Sequence, residues 1–221
     1  SGKQVLDQFL AILNNNGYFY AHKVVNAKKY GVPQNRQRFV LIASRFFQPI
    51  IPEGTYGTVE NPYLTVRDAI EKYPAIEAGA SDISIPNHQA VSLSELNLER
   101  IRNTPHSGGD RSWPSKLVLA CHSNGHTGHT DVYGRMDWNK VAPTLTARCY
   151  SLSNGRYGHP IQDRAISLRE AAALQSFEDD YIFFGSLASI GKQIGNAVPV
   201  KMAESLAKYI LRSTQKAMLN E

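Results

Sequence analysis

Three short stretches of this sequence carry residue types that do chemistry at close spacing. The first is Gln34-Asn35-Arg36-Gln37-Arg38. Arginines at i and i+2 entering a strand project to the same side. Each offers a planar fork of donors that matches a phosphate or the carbonyl edge of a base. A solvated basic loop ahead of a strand has the same composition, and spacing alone leaves both readings open. The second stretch is Gly195-Asn196-Ala197-Val198-Pro199-Val200. A glycine turn leading into a helix presents free backbone N–H groups that suit a carboxylate or phosphate, and the Asn196 amide both donates and accepts. A plain turn followed by a proline helix start accounts for the same residues without a ligand. The third is Ala142-Pro143-Thr144-Leu145-Thr146-Ala147-Arg148, followed by Gly155-Arg156-Tyr157. Hydroxyls, arginines and aromatics in loops are what phosphate and groove contacts use; a strand with polar flanks is the alternative.

A fourth stretch tests for a metal. Cys121, His122, His126 and His129 place four donors within nine residues. Zinc needs three or four donors converging, but this spacing matches no standard finger, and we expect no metal. The other cysteine is Cys149, and two cysteines in a chain this long make no disulfide framework.

These residues need elements to position them. Leu6, Phe9, Leu10 and Leu13 fall at i, i+3, i+4 and i+7 and predict an opening helix that ends near Gly17. Tyr18 to Val25 alternates as a strand does, and Phe39 to Ala43 is a short apolar run expected to form a buried strand. Residues 28–45 hold five positive charges and no negative one. From Phe46 to about Gly158, Pro, Gly, Ser, Asn and His become frequent, and only two short helices are predicted, near 65–73 and 94–103. Ser167-Leu168-Arg169-Glu170 is a capping box opening a helix over 168–176. Pro199 is expected to start a last helix reaching about Gln215, with Ala203, Leu206, Ala207, Ile210 and Leu211 on its packing face. Regular, irregular, regular is the layout of a domain interrupted by a loop-rich insertion, and the last helix is expected to pack beside the first helix and strand.

Bulk composition sets outer bounds. With 221 residues and 42% hydrophobic content the chain can build a packed core. A net charge of +5 and a pI near 9.2 permit a polyanionic partner without demanding one. No run of eighteen apolar residues occurs, so no membrane helix is expected, and an intracellular, soluble chain is the expectation. The start Ser1-Gly2-Lys3 lacks an initiator Met and suggests a tag remnant or an excised piece of a longer protein.

In their order along the chain, Tyr30-Gly31-Val32-Pro33-Gln34-Asn35-Arg36-Gln37-Arg38, Pro143-Thr144-Leu145-Thr146, His159-Pro160, Ser167-Leu168-Arg169-Glu170 through Gln175-Ser176-Phe177, and Gly195-Asn196-Ala197-Val198-Pro199 resemble the C-terminal half of the DNA cytosine-5 methyltransferases. The resemblance implies an α/β fold: the C-terminal remnant of a doubly wound S-adenosylmethionine-dependent methyltransferase domain, carrying an inserted, loop-rich target-recognition domain. Residues 1–45 and 186–221 would belong to the catalytic domain and 46–185 to the small domain, whose reading region ends near Gly158. Arg36 and Arg38 would sit on a flipped target nucleotide, one at its phosphate and one at the cytosine, with Gln34 shaping their loop. Asn196 and Ala197 would contact the amino-acid end of S-adenosylmethionine. Thr144 would lie at the DNA backbone, and Arg135 would be placed like a groove-reading arginine. Arg148 and Arg156 are further DNA contacts suggested by their chemistry.

The departures set the expected limits of activity. The family attacks carbon 6 of cytosine with the thiolate of a cysteine preceded by proline, which is covalent catalysis. Here Cys121 follows Ala120 and Cys149 follows Arg148. The Glu-Asn-Val motif and the glycine-rich loop that begins the cofactor site are also absent, Glu178 stands where most relatives have proline, and Ala171-Ala172-Ala173 replaces a cysteine and an arginine. The expectation is a chain inactive by itself, with an incomplete S-adenosylmethionine site, that methylates double-stranded DNA once joined in cis or in trans by the N-terminal half of the enzyme. A prokaryotic, cytoplasmic, nucleoid-associated setting follows from the resemblance. The competing reading is a non-enzymatic DNA-binding protein, against which stands the retained Gly195-Asn196 element, of no use to a pure DNA reader.

Overall fold

The structure is a computed structural model that describes residues 2–119 and 131–219. Helix α1, Gly2–Asn15, stops where Gly17 takes a left-handed φ of +76°, and the Tyr18 amide donates back to the Leu13 carbonyl at 3.0 Å. Strand β1, Phe19–Asn26, pairs antiparallel with β2, Gln37–Ser44, from Phe19 opposite Ser44 to Asn26 opposite Gln37. A 3-10 turn over Ala27–Tyr30 joins them, opened by the Asn26 side chain, which accepts from the Lys28 amide, and closed by Gly31 at φ +76°.

The pleat gives this pair two unlike faces. Val25, Val40 and Ile42 face inward and are buried or partly so. Tyr20, His22, Val24, Phe39 and Leu41 line the other face, where Val24 is 58% and Phe39 50% exposed. Both strands were expected at these places, but the expectation that β2 is fully buried is corrected: only one face is covered by the chain.

The inward face meets the last helix, which we label α6, Val200–Met218. Met202 and Leu206 pack with Val25, Ala27, Tyr30 and Val32, and the Tyr209 hydroxyl accepts from the Ile50 amide at 2.8 Å. The sequence predicted a stripe through Ala203, Leu206, Ala207, Ile210 and Leu211; of these Leu206 packs inward, but the helix buries Met202, while Ile210 and Leu211 are 40% and 60% exposed. The reason lies at the N-terminus of the helix. The Val200 amide donates to the Gln175 carbonyl at 3.2 Å and the Lys201 amide to Ser176 Oγ at 3.1 Å, which fixes the rotation of the first turn.

Among the described residues, four shorter helices serve the middle of the chain: α2 (Val66–Ile70), α3 (Glu95–Arg102), α4 (Leu168–Leu174) and α5 (Leu187–Asn196). Thr65 and Ser167 each close a reciprocal capping box, with Asp68 and Glu170 respectively. Helix α5 was not anticipated, because Gly195-Asn196 reads as a turn. Its glycines disfavour a helix by roughly 1 kcal/mol each, yet they allow close contact. A Cβ on Gly195 would lie 2.2 Å from the Thr146 carbonyl, and one on Gly191 2.5 Å from the Tyr150 ring.

The largest core joins α2, α4 and α5 to Met136, Trp138, Leu145 and Tyr157. It includes Ile190 and Ile194, so this core crosses position 185, where the sequence reading put a boundary. Among the described residues, no helix is long and apolar enough to cross a membrane.

Candidate functional site

The site is assembled on the loop between the two strands. Asn26 holds the loop neck: its Oδ1 accepts from the Arg36 amide at 3.2 Å and its Nδ2 donates to Asn35 Oδ1 at 2.6 Å. The loop then runs beside residues 142–145. The Asn35 amide donates to the Ala142 carbonyl at 2.8 Å, the Ala142 amide to Pro33 at 3.0 Å, and the Thr144 hydroxyl to the Asn35 carbonyl at 2.6 Å. Gln34 is fully buried and spends its amide twice, donating from Nε2 to the Leu174 carbonyl at 3.1 Å and accepting at Oε1 from the Leu145 amide at 3.0 Å.

Arg36 is 1% exposed. One terminal nitrogen donates to the Leu145 carbonyl at 2.7 Å, and the other donates to the carbonyls of Gly195 at 2.8 Å and Ala197 at 3.1 Å. Those carbonyls stand at the C-terminus of α5, where helix partial charge is negative and a cation is favoured. Burial, and then the nearby charge of Arg38, pulls the guanidinium down to about 10, so it remains charged at neutral pH. Its Nε has no partner among the described residues. Arg38 is half-buried, and its one hydrogen bond among the described residues is a local one, to the Gln37 carbonyl at 2.6 Å. Of the two arginines, Arg38 is therefore the one with donors to spare.

Thr144 is exposed, and its own carbonyl accepts from the Tyr157 hydroxyl at 2.9 Å. Asn196 is exposed at the last turn of α5, with no hydrogen bond to its amide among the described residues, and Ala197 is half-buried beside it. The expectation of free helix N-terminal amides at this place is corrected. Gly195 and Asn196 end a helix, and the first amides of α6 are already donated to Gln175 and Ser176. What the chain can offer an amino-acid moiety here is the Asn196 amide, which suits an ammonium or a carboxylate equally. That is a fit for part of a cofactor wall.

Two arginines expected at DNA are engaged by acceptors within the chain. Arg135 is 0% exposed, and its five donors meet five acceptors: the carbonyls of Thr104 (2.9 Å), His159 (3.0 Å), Gln162 (2.5 Å) and Ile101 (2.8 Å), and Asp163 Oδ1 (2.5 Å). Nothing is left over for a base edge. Arg156 donates to the carbonyls of Gly108 and Gly109 at 2.9 and 3.2 Å and pairs with Asp110, so it pins that loop. Arg148 is exposed, and its guanidinium has no partner among the described residues.

Cys149 is fully buried, and burial pushes its thiol up to about 12. A thiol so held is no nucleophile at neutral pH. Cys121, His122, His126 and His129 lie outside the described residues. The Arg-Glu helix is scaffold. Glu170 forms a buried two-pronged pair with Arg164 at 2.7 and 2.8 Å, while Arg169 donates to the carbonyls of Pro86, Glu178 and Tyr181. The contacts of Tyr157 with residue 144, and of Gln175 Nε2 with the Ile194 carbonyl at 2.8 Å, were missed by sequence reasoning. No local pattern marks them, since their partners are set by tertiary packing.

The fold is that of S-adenosylmethionine-dependent methyltransferases. It is similar, at a TM-score of 0.60 and 22% identity over 94% of this chain and 62% of the other, to a DNA modification methyltransferase encoded within a prophage of E. coli. The S. pombe Dnmt2 methyltransferase gives a TM-score of 0.51 at 15% identity. The C-5 cytosine-specific DNA methylase family matches residues 1–212, and the chain belongs to that family. Among curated relatives, the Type II methylase M.HgiDII of Herpetosiphon aurantiacus is 42% identical over 214 residues, covering 95% of this chain and 60% of the relative. The Type II methyltransferase M1.HphI of Haemophilus parahaemolyticus is 33% identical over 96% of this chain and 53% of its own length. The chain thus spans between half and two thirds of the length of these relatives.

Proposed function

We propose that this chain is the C-terminal part of a DNA cytosine-5 methyltransferase. It supplies the DNA-reading region, the arginine that meets the target nucleotide and part of the S-adenosylmethionine wall. It transfers no methyl group until the N-terminal half joins it. What supports the reading is the convergence of three family motifs on one buried guanidinium. Arg36 reaches Leu145, 109 residues away, and Gly195, 159 residues away.

Within this reading each group has a task set by its geometry. Arg38, with unspent donors, meets the phosphate or carbonyl edge of the extruded cytosine. Thr144 lies at the DNA backbone, its side chain steadied by Asn35, and Arg148 supplies a screened, sequence-independent phosphate contact. Gln34 and Arg36 hold the loop that aims Arg38. Asn196, with Ala197, takes the amino-acid end of S-adenosylmethionine, which when bound supplies the methyl group. Residues 46 to about 158 read the target sequence. The thiolate and the acid group at the ring come from the N-terminal half.

The test is methyl transfer from labelled S-adenosylmethionine to mixed-sequence duplex DNA. We expect no transfer by the chain alone and transfer when its upstream half is added. Transfer by the chain alone would overturn the assignment of the nucleophile to the other half, and Cys121 would then be tested by substitution.

A further inference from the structure

We propose that Arg36 is a positioning residue that couples the DNA-side segment Thr144–Ala147 to the cofactor-side turn Gly195–Ala197, so that binding at either one tightens binding at the other. The inference rests on the functional reading above. Arg36 was expected on the nucleotide, but its terminal nitrogens point into the chain and divide between the two segments, one to Leu145 and one to Gly195 and Ala197.

Three observations make this a rigid junction. First, the guanidinium is charged and almost wholly shielded from water, so a donor released by movement of either segment finds no solvent to replace its carbonyl. The guanidinium's hydrogen bonds among the described residues are those of its two terminal nitrogens, since Nε has no partner there. Second, the segments touch directly. The missing Cβ of Gly195 is what lets α5 reach the Thr146 carbonyl, since that atom would sit 2.2 Å away. Third, Gln34 fixes the Leu145 amide from the same loop at 3.0 Å, and the Thr144 hydroxyl is tied to Asn35 at 2.6 Å. The segment that faces DNA therefore cannot shift without disturbing the turn that carries Asn196. Ordering one by a ligand orders the other in advance, which is positive cooperativity carried by a shared element. The fork of an arginine is required because the acceptors lie on two separate segments, and a lysine is a single point of charge that cannot span them.

The test uses the chain joined to its upstream half and measures duplex DNA affinity with and without S-adenosylhomocysteine. The unmodified protein should bind DNA about tenfold tighter with the cofactor product present, and the same factor should appear in cofactor affinity with and without DNA. In Arg36→Lys both factors should fall to about twofold or less. Gly195→Ala keeps the guanidinium but forces the segments apart, and it should lose the enhancement too, which keeps the test available if Arg36→Lys does not fold. An unchanged enhancement in either folded variant overturns the coupling. So does an unmodified protein that binds both ligands without enhancement. An unmodified protein that binds neither ligand overturns the functional reading, and the coupling with it.

Discussion

Two arginines show how one residue type serves opposite ends. Arg148 is exposed and, among the described residues, unspent, whereas Arg135 is enclosed by five acceptors. In the chain joined to its upstream half, Arg148→Ala should weaken binding to all duplexes alike and reduce the slope of log affinity against log salt by about 0.9. Arg135→Met should act on stability instead. Four carbonyls lose their donor, and a buried acceptor left unsatisfied costs about 1–3 kcal/mol, read as a lower denaturant midpoint. A second residue-scale prediction concerns pH. Burial drives His159 down to about 4, against an ordinary value of 6.5, despite the opposing pull of Glu170. The unfolded chain therefore binds more protons between those values, and stability must fall as pH drops from about 6.5 to 4. Burial alone would raise Glu170, but its hydrogen bonds and charge pairing with Arg164, helped by His159 and the Ser167 amide, hold it below its ordinary range, and it adds a loss in the same direction at lower pH. The unfolding midpoint should therefore drop on acidification, and His159→Gln should flatten the curve between pH 6.5 and 4.

At the scale of elements, the two capping boxes carry unequal loads. Thr65 caps α2 at the surface, so Thr65→Ala should cost about 1 kcal/mol. Ser167 is buried, and its hydroxyl also meets His88 Nδ1 at 2.9 Å. Ser167→Ala strands both an amide and an imidazole nitrogen and should cost about 2 kcal/mol or more. Chemical denaturation of the two variants side by side checks the order. The Ser167 box was legible in the sequence because a capping box is a local pattern in which the cap and its partner lie three residues apart. Helix α5 was not legible. Its glycines signal a turn by propensity, and only the approach of Thr146 and Tyr150 explains why a helix keeps them.

For the whole molecule, the open face of the β1–β2 pair is the feature with the largest consequence. Val24 and Phe39 lie on it, and Val5, Phe9 and Ile12 form an exposed row on α1, each 48–66% exposed. Apolar surface of this kind drives association. The chain alone should self-associate with rising concentration in sedimentation velocity. Phe39→Lys should reduce that association, and addition of the upstream half should suppress it. A monomer at all concentrations would show that these residues are tolerated as solvated surface. The last helix was expected beside the first helix and strand. It packs against β1 and the Ala27–Tyr30 turn through Met202 and Leu206, so the two ends of the chain share one core.

The sequence by itself determined the family, the order of the motifs, the strand pair, the capped helices and the absence of a proline-preceded cysteine. Each of these is written in local spacing or in residue identity, which packing does not alter. Tertiary structure alone decided which arginines are free. Arg36, Arg38, Arg135, Arg148 and Arg156 carry the same donors, and the sequence offered all of them as contacts. The number of carbonyls that folding brings to each guanidinium separates strut from hand, and those carbonyls come from as far as 159 residues away. No spacing rule reaches that distance, because burial is a property of the assembled core.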